Sequence, residues 1–295
     1  ELDNDGVLNP GEGFSITYTF TNNSFETDAL NAVASLSIDL GGNITSDAII
    51  NIGDIPMGDT VYGEYSLLLD DSIPFGEFNL HLILSADYIN NSGELANYIK
   101  EVSFSVDVSL NQSGFPVTTG GDLRSSPLVI DLDGDGEVEI VVGDNNGFVH
   151  IFNVDGTAVE DNTFPFDTGN QIWGSAAAAD MDLDGLTDFV ITSKSKHLYI
   201  FDKNGLKTDY NANKYLMGTP AIGNLDDDVD LEVVVGGYSS SNQIFAVNPD
   251  GSDVDGFPLA LGEKTKAGVA LVDFNGNGRD DIIVGTDNDN IYVIF

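Results

Sequence analysis

Four acidic segments recur in register through the second half of the chain, and no other feature restricts its possible folds as much. The first is Asp131-Leu-Asp-Gly-Asp-Gly-Glu-Val-Glu139, followed by Ile-Val-Val-Gly143. The second is Asp180-Met-Asp-Leu-Asp-Gly-Leu-Thr-Asp188, followed by Phe-Val-Ile-Thr192. The third is Asn224-Leu-Asp-Asp-Asp-Val-Asp-Leu-Glu232, followed by Val-Val-Val-Gly236. The fourth is Asp273-Phe-Asn-Gly-Asn-Gly-Arg-Asp-Asp281, followed by Ile-Ile-Val-Gly285. Their first residues lie 49, 44 and 49 positions apart. A period of ~40–50 residues with several short strands per unit is the signature of propeller blades, each hiding its apolar strands against the next.

Each unit divides into strands. An apolar stretch such as Ser126–Ile130 enters the acidic loop and a second, such as Glu139–Val142, leaves it. Third strands are predicted at Phe148–Phe152, Leu198–Phe201, Gln243–Val247 and Asn290–Phe295. Phe115-Pro116, Phe164-Pro165 and Phe257-Pro258 suit outer edge strands, because proline cannot donate to a ladder. Small residues at Ala176–Ala179 and Ala267–Ala270 suit the crowded centre where blades converge.

Oxygen donors at alternating positions, a glycine turn and a later carboxylate describe a loop for calcium (Ca2+), which takes 6–8 oxygens at ~2.3–2.6 Å. The first, third, fifth and ninth side chains and the seventh carbonyl of each segment supply the candidate ligands. They are Asp131, Asp133, Asp135, the Glu137 carbonyl and Glu139 in the first loop. The second offers Asp180, Asp182, Asp184, the Leu186 carbonyl and Asp188. The third offers Asn224, Asp226, Asp228, the Asp230 carbonyl and Glu232. The fourth offers Asp273, Asn275, Asn277, the Arg279 carbonyl and Asp281. Solvated Asp-Gly turns would account for one such loop but not for four in register. Two carboxylates ~4 Å apart repel by about 1 kcal/mol even in water, so three or four converging need a cation. The sites are unequal. Val229 stands where the turn prefers glycine, and a β-branched residue resists positive φ. Asn275 and Asn277 lower the charge of the fourth loop, so the first two rank strongest.

This pattern, with its apolar strand, resembles the FG-GAP/VCBS repeat over residues 114–295. That family includes the β-propeller of integrin α subunits and many bacterial secreted proteins. The resemblance implies a calcium-stabilised propeller with its metal loops in hairpins on one face. Four blades are visible, and the family's larger rings imply that they are part of one. The alternative is a closed ring of four, with Phe115–Thr118 pairing with Asn290–Phe295.

Residues 1–110 have a different texture. Alternating stretches at Phe14–Phe20, Val33–Ile38, Tyr62–Leu69, Phe78–Leu84 and Val102–Val108 predict a β-sandwich. The whole chain is therefore all-β: a sandwich, then a propeller over 111–295, with Asn111-Gln-Ser-Gly as connector. At the start, Glu1, Asp3, Asp5, the Val7 carbonyl, Asn9 and Glu12 carry oxygens at the spacing of an EF-hand loop, around Gly6. The competing reading is a turn leading into the first strand. The run Asp-Gly-x-x-Asn-Pro-Gly-Glu, before a strand ending Thr21-Asn22-Asn23, resembles Ig-like accessory domains of bacterial secreted multidomain proteins, notably proteases.

Composition limits the partners. With 49 acidic and 10 basic residues the formal charge is −39, which repels nucleic acid and anionic membrane surfaces and attracts metal cations. The acidic loops do not absorb all of this charge, and the remainder reads as adaptation to salt. Cysteine is absent, so neither disulfides nor thiolate sites exist. No apolar run reaches the ~18 residues that a membrane helix needs, and no stretch of the given sequence reads as a signal peptide, which means little in a chain that begins at Glu1 without methionine. The chain reads as a monomeric piece excised from a larger protein, secreted or displayed at a bacterial cell surface.

Catalytic signatures are missing: no Gly-x-Ser-x-Gly elbow, no phosphate loop and no zinc spacing occurs. His81, His150 and His197 each read as a satisfied strand histidine, and Trp173 as a packing residue. Tyr238 with Ser239-Ser-Ser241 is a candidate variable loop. The preferred reading is a non-catalytic, calcium-binding extracellular adhesion module for a protein or glycan ligand. The alternatives are the accessory region of a secreted hydrolase whose catalytic domain lies elsewhere, and a propeller polysaccharide lyase. Asp133→Ala is expected to remove one calcium site, measured by calcium titration, and to leave the unfolding of the sandwich unchanged.

Overall fold

The computed structural model describes residues 7–39, 42–112, 114–238 and 243–295. The chain divides into two compact units, 1–116 and 117–295, and every regular element among the described residues is a strand.

The first unit holds β1 (Gly13–Thr21), β2 (Ala29–Ile38), β3 (Gly42–Ile44), β4 (Ile49–Ile55), β5 (Thr60–Leu69), β6 (Gly76–Ile89) and β7 (Leu95–Val108). They form two antiparallel sheets, in orders β1-β5-β3 and β4-β2-β6-β7. Alternation sets which side faces inward. In β5, Tyr65, Leu67 and Leu69 are buried while Leu68 between them is exposed. They meet Leu36 of β2 and Leu80 of β6, so one core joins the two sheets as a sandwich. The sequence pattern missed β3 and β4. Both are edge strands, and β4 breaks its alternation at Gly53, which takes φ 86 opposite a register shift of β2. β3 is only three residues long, too short to show an alternation.

The second unit contains four successive antiparallel sheets. The first is β8 (Leu128–Ile130), β9 (Glu139–Gly143), β10 (Phe148–Asn153) and β11 (Phe166–Asp167). The second is β12 (Ala177–Ala179), β13 (Asp188–Thr192), β14 (His197–Asp202) and β15 (Gly205–Asn211). In the third, β17 (Ala221–Gly223), β18 (Glu232–Tyr238), β19 (Gln243–Val247) and β20 (Leu259–Ala260) are joined by β16 (Tyr215–Leu216), which also pairs with β18. The fourth is β21 (Val269–Val272), β22 (Asp281–Gly285) and β23 (Ile291–Ile294).

The unbroken apolar strands are explained by burial on both faces. In β13, Phe189 and Ile191 pack with Val141 and Ile151 of the first sheet, while Val190 packs with Val233 and Val235 of the third. Val234 in turn packs with Ile282 and Val284 of the fourth. Fully burying such a side chain stabilises by about 1.5–3 kcal/mol, so these sheets hold each other in place as propeller-like blades. No buried cluster among the described residues joins the fourth sheet to the first, and the four form an arc.

Pro165 and Pro258 directly precede β11 and β20, the outer strands of their sheets, as the loss of a donor requires. Residues 115–118 form no strand, and the last sheet ends at β23, so the clasp of a four-bladed ring is not made.

At the inner edge the chain segments nearly touch. A Cβ on Gly174 would lie 2.4 Å from the carbonyl oxygen of Gly218, and one on Gly218 would lie 2.3 Å from that of Ala267. Hydroxyls stitch the same edge: Ser126 N–H donates to Ser175 Oγ at 2.8 Å, and Ser175 N–H to Thr219 Oγ1 at 3.0 Å. Gly218→Ala is expected to cost about 1–3 kcal/mol by overpacking. Gly285→Ala, where a Cβ meets nothing within 4 Å, should be close to neutral. Urea unfolding of the two variants compares them directly.

Candidate metal centres and the opposite face

All four acidic segments are built alike. The first residue follows the innermost strand directly, and the ninth is the first residue of the next strand. That ninth residue, Glu139, Asp188, Glu232 or Asp281, is buried in every case. Its carboxylate accepts the N–H of the second loop residue: Leu132 to Glu139 at 2.8 Å, Met181 to Asp188 at 3.0 Å, Leu225 to Glu232 at 2.6 Å and Phe274 to Asp281 at 2.8 Å. One oxygen thus closes the loop and the other is left for its interior.

The remaining acidic side chains cap local turns. In the first loop Asp131 accepts from Gly134 N at 2.7 Å and Gly136 N at 3.1 Å, Asp133 from Asp135 N at 3.1 Å, and Asp135 from Glu137 N at 2.8 Å. Gly134 and Gly136 have φ of 80 and 97, and the fourth loop repeats this with Gly276 and Gly278 at 76 and 88. The second loop uses Leu183, at φ 55, and Gly185, at 88. In the third, neither Asp227 nor Val229 takes a positive φ, as a β-branched side chain demands. Its carboxylates nevertheless converge.

Three loops bring together three carboxylates whose ligand atoms lie within 4.8 Å of one another: Asp131, Asp133 and Glu139; Asp180, Asp182 and Asp184; Asp226, Asp228 and Glu232. Asp135 is not in the first group, nor Asp188 in the second. Of the four candidate side chains of the fourth loop, only Asp273 and Asp281 are carboxylates. The Asn275 amide donates to both oxygens of Asp281, at 3.3 and 3.4 Å, and Asn277 caps Arg279 N. Of the initial loop, Glu1, Asp3 and Asp5 lie outside the described residues. Glu12 accepts from Asn9 N at 2.9 Å, and the Asn9 amide donates to the Val7 carbonyl at 3.5 Å; these contacts make a turn into β1.

The third loop shows what such a site lacks. Glu232 is fully buried and its Oε1 has no partner, as has the buried Oδ1 of Asn224. Burial pushes the Glu232 carboxyl up to about 7, with Asp226 and Asp228 adding to the rise and the Leu225 N–H opposing it. Burial likewise raises Glu139, with Asp133, Asp135 and Asp131 adding. A divalent cation held there would supply the missing charge and give the free oxygens a partner. The donor set, carboxylate and amide oxygens with no nitrogen or sulfur, suits calcium.

Cations of the chain itself also reach these loops, which the spacing of acidic residues did not reveal. Lys203 Nζ donates to the Asp133 carbonyl at 3.1 Å. Lys207 enters the second loop, 2.8 Å from both Asp182 Oδ2 and Asp188 Oδ1. The Arg279 side chain, expected to contribute only its carbonyl, forks onto Asp227 of the third loop, with Nε 3.0 Å from Oδ1. Scarcity was the available signal: with only ten cations in the chain, each one is informative.

Topology puts the other ends of these strands on the opposite face. There Trp173 is half-buried, donates from Nε1 to Asn145 Oδ1 at 3.1 Å, and has Arg124 and Lys194 at 4.4 and 4.3 Å from its ring centre. Tyr238 carries Lys264 and Lys266 at 5.1 and 5.2 Å. Ser239, Ser240 and Ser241 lie outside the described residues. The histidines sit on strands and are partnered: His81 with Ser103 and Asp39, His150 with Asp144 and His197 with Asp209.

Residues 131–191, from the first acidic loop into β13, match the family model of the FG-GAP-like repeat. No curated protein matches the chain. Among solved structures, it is similar to BBS1N in the crystal structure of its complex with ARL6DN soaked with lead. Identity there is 16%, over 59% of this chain and 51% of the other, with TM-score 0.43. The mercury-soaked form gives 15%, 59%, 55% and 0.45. A protein of unknown function from Bacteroides caccae gives 13%, 70%, 67% and 0.36. The chain spans about half the length of the two BBS1N chains, and likenesses of this strength assign no function.

Glu232→Gln tests the third site. The amide oxygen still accepts from Leu225 N–H while the charge is gone. The variant should equal or exceed the parent in melting temperature under chelation and fall below it in calcium. A variant that tracks the parent in both conditions would contradict the site.

Proposed function

We propose that this chain is a calcium-stabilised, non-catalytic extracellular binding module. The carrying observation is the third loop, where a fully buried carboxylate oxygen, Glu232 Oε1, has no partner beside Asp226 and Asp228. Such a group costs several kcal/mol uncompensated, and a bound divalent ion removes the cost. The sandwich serves as an Ig-like accessory spacer and the blades as a rigid platform. Calcium acts on stability, locking the hairpins that link the inner strands.

The ligand is an extracellular protein or glycan, taken on the face opposite the acidic loops. Four of the ten cations of a strongly acidic chain gather there on two aromatic rings, Trp173 and Tyr238. Cation-flanked rings with amide neighbours offer both charge and an apolar surface. Secretion or surface display by a bacterium fits a module without cysteine whose loops call for calcium.

Two measurements test the reading. Calcium should raise thermal stability by RT ln(1 + [L]/Kd) for each site that binds only the folded state, about 2.7 kcal/mol at 100 Kd. Superimposable melting curves in calcium and in chelator would refute calcium stabilisation. In a screen of glycans and matrix proteins, Trp173→Ala should lose the captured ligand without shifting the calcium-dependent melting.

A further inference from the structure

The second acidic loop differs from its neighbours in carrying a cation of its own. Lys207 Nζ lies 2.8 Å from Asp182 Oδ2, 2.8 Å from Asp188 Oδ1 and 3.8 Å from Asp184 Oδ2. These are residues three, nine and five of the loop, the carboxylates that a bound calcium would draw together. Asp188 is fully buried, and the lysine takes the one oxygen that its bond to Met181 N leaves over. In the third loop the corresponding oxygen, Glu232 Oε1, has no partner; in the fourth, the Asn275 amide takes it. The interior position is thus orphaned in one loop, amide-filled in another and ammonium-filled here.

The backbone aims this lysine. Along β14 and β15 the pairing runs Ile200 with Thr208, then Phe201 with Leu206, so Lys207 is the extra residue of a β-bulge. A bulge redirects the side chain that it carries. Among the described residues, only the second sheet has an outer strand long enough to do this: β15 has seven residues, whereas β11 and β20 have two each. The side chain is largely sheltered, at 22% exposure, which limits screening by solvent.

We propose that Lys207 is a tethered counter-ion that competes with calcium for the second loop, so that this loop is ordered without metal and binds metal more weakly than its carboxylates alone would. The inference takes the calcium reading of the loops as its starting point. Ammonium and metal cannot share the site: a calcium ion needs its oxygens at ~2.3–2.6 Å, within the volume that Nζ occupies. One positive charge does not satisfy the loop completely, since Asp180 Oδ1 and Asp182 Oδ1 remain buried without partners. A drive toward a divalent ion persists, and occupancy becomes a competition. The tether gives the lysine a high effective concentration, which raises the apparent Kd of free calcium for this loop.

The test uses the whole chain, the variant Lys207→Met, which keeps the apolar stem, and the control Lys203→Met, whose ammonium touches only a carbonyl. Calcium is titrated calorimetrically into metal-free protein, and melting is followed in chelator. Lys207→Met should bind calcium at the second loop at least tenfold more tightly than the parent, or one ion more per chain. In chelator it should melt lower than Lys203→Met, with calcium restoring the difference. Adding Asp182→Asn should relieve the chelator defect of Lys207→Met, which a merely lost stem contact would not do. Identical calcium isotherms for parent and Lys207→Met would overturn the competition. Should no chain bind calcium, the calcium reading falls, and chelator melting alone judges the counter-ion: a defect relieved by Asp182→Asn upholds it, and its absence overturns it.

Discussion

The bond between the buried ninth carboxylate of each acidic loop and the N–H of the second loop residue is the interaction on which the second unit depends. It joins the end of the innermost strand to the start of the next and fixes the hairpin between them. It does so by placing an ionisable group where apolar strands begin, at a desolvation cost seen in the raised Glu139 and Glu232 carboxyls. Each loop therefore needs compensation. The chain offers several kinds: turn N–H groups for the outer aspartates, an amide in the fourth loop, and a lysine in the second.

Burial on both faces is the second constraint. A strand such as Phe189–Ile191 cannot stand alone, since either face would expose an apolar surface. Sheets therefore stack in sequence, and stacking brings their inner edges close enough that Gly174 and Gly218 admit no side chain. The requirement lapses at the last sheet. There Ile282 and Val284 pack inward while Ile291 and Val293, one strand over, are exposed.

Charge is separated across the blades. Carboxylates gather where the innermost strand turns into the next, and cations with aromatic rings gather at the other ends of the same strands. In a chain of net charge −39, four of the ten cations stand on that second face against the two rings, and one of them, Lys266, also pairs with Asp287. The cations on the loop face are instead consumed by the loops, as Lys203, Lys207 and Arg279 illustrate.

Alternation in residues 1–110 and the repeat beyond them determined that this chain is all-β, and the repeat by itself determined that the second part is a succession of short-stranded units and which residues form the loops. Local spacing is enough for this: alternating oxygens and glycines turn the chain in the same way wherever they occur, and continuous apolar runs demand cover on both sides. Strands β3 and β4 were not legible, because β3 is three residues long and β4 loses its alternation at Gly53 and Asp54. Nor was the difference among the loops. Composition ranks the loop at Asp180–Asp188 level with the one before it, and marks the third as weakened by Val229. Folding brought Lys207, twenty-five residues beyond Asp182, into the second loop, and left the buried oxygen of Glu232 unpaired in the third. Those outcomes depend on a bulge in β15 and on burial at the start of β18, long-range facts that no single loop encodes.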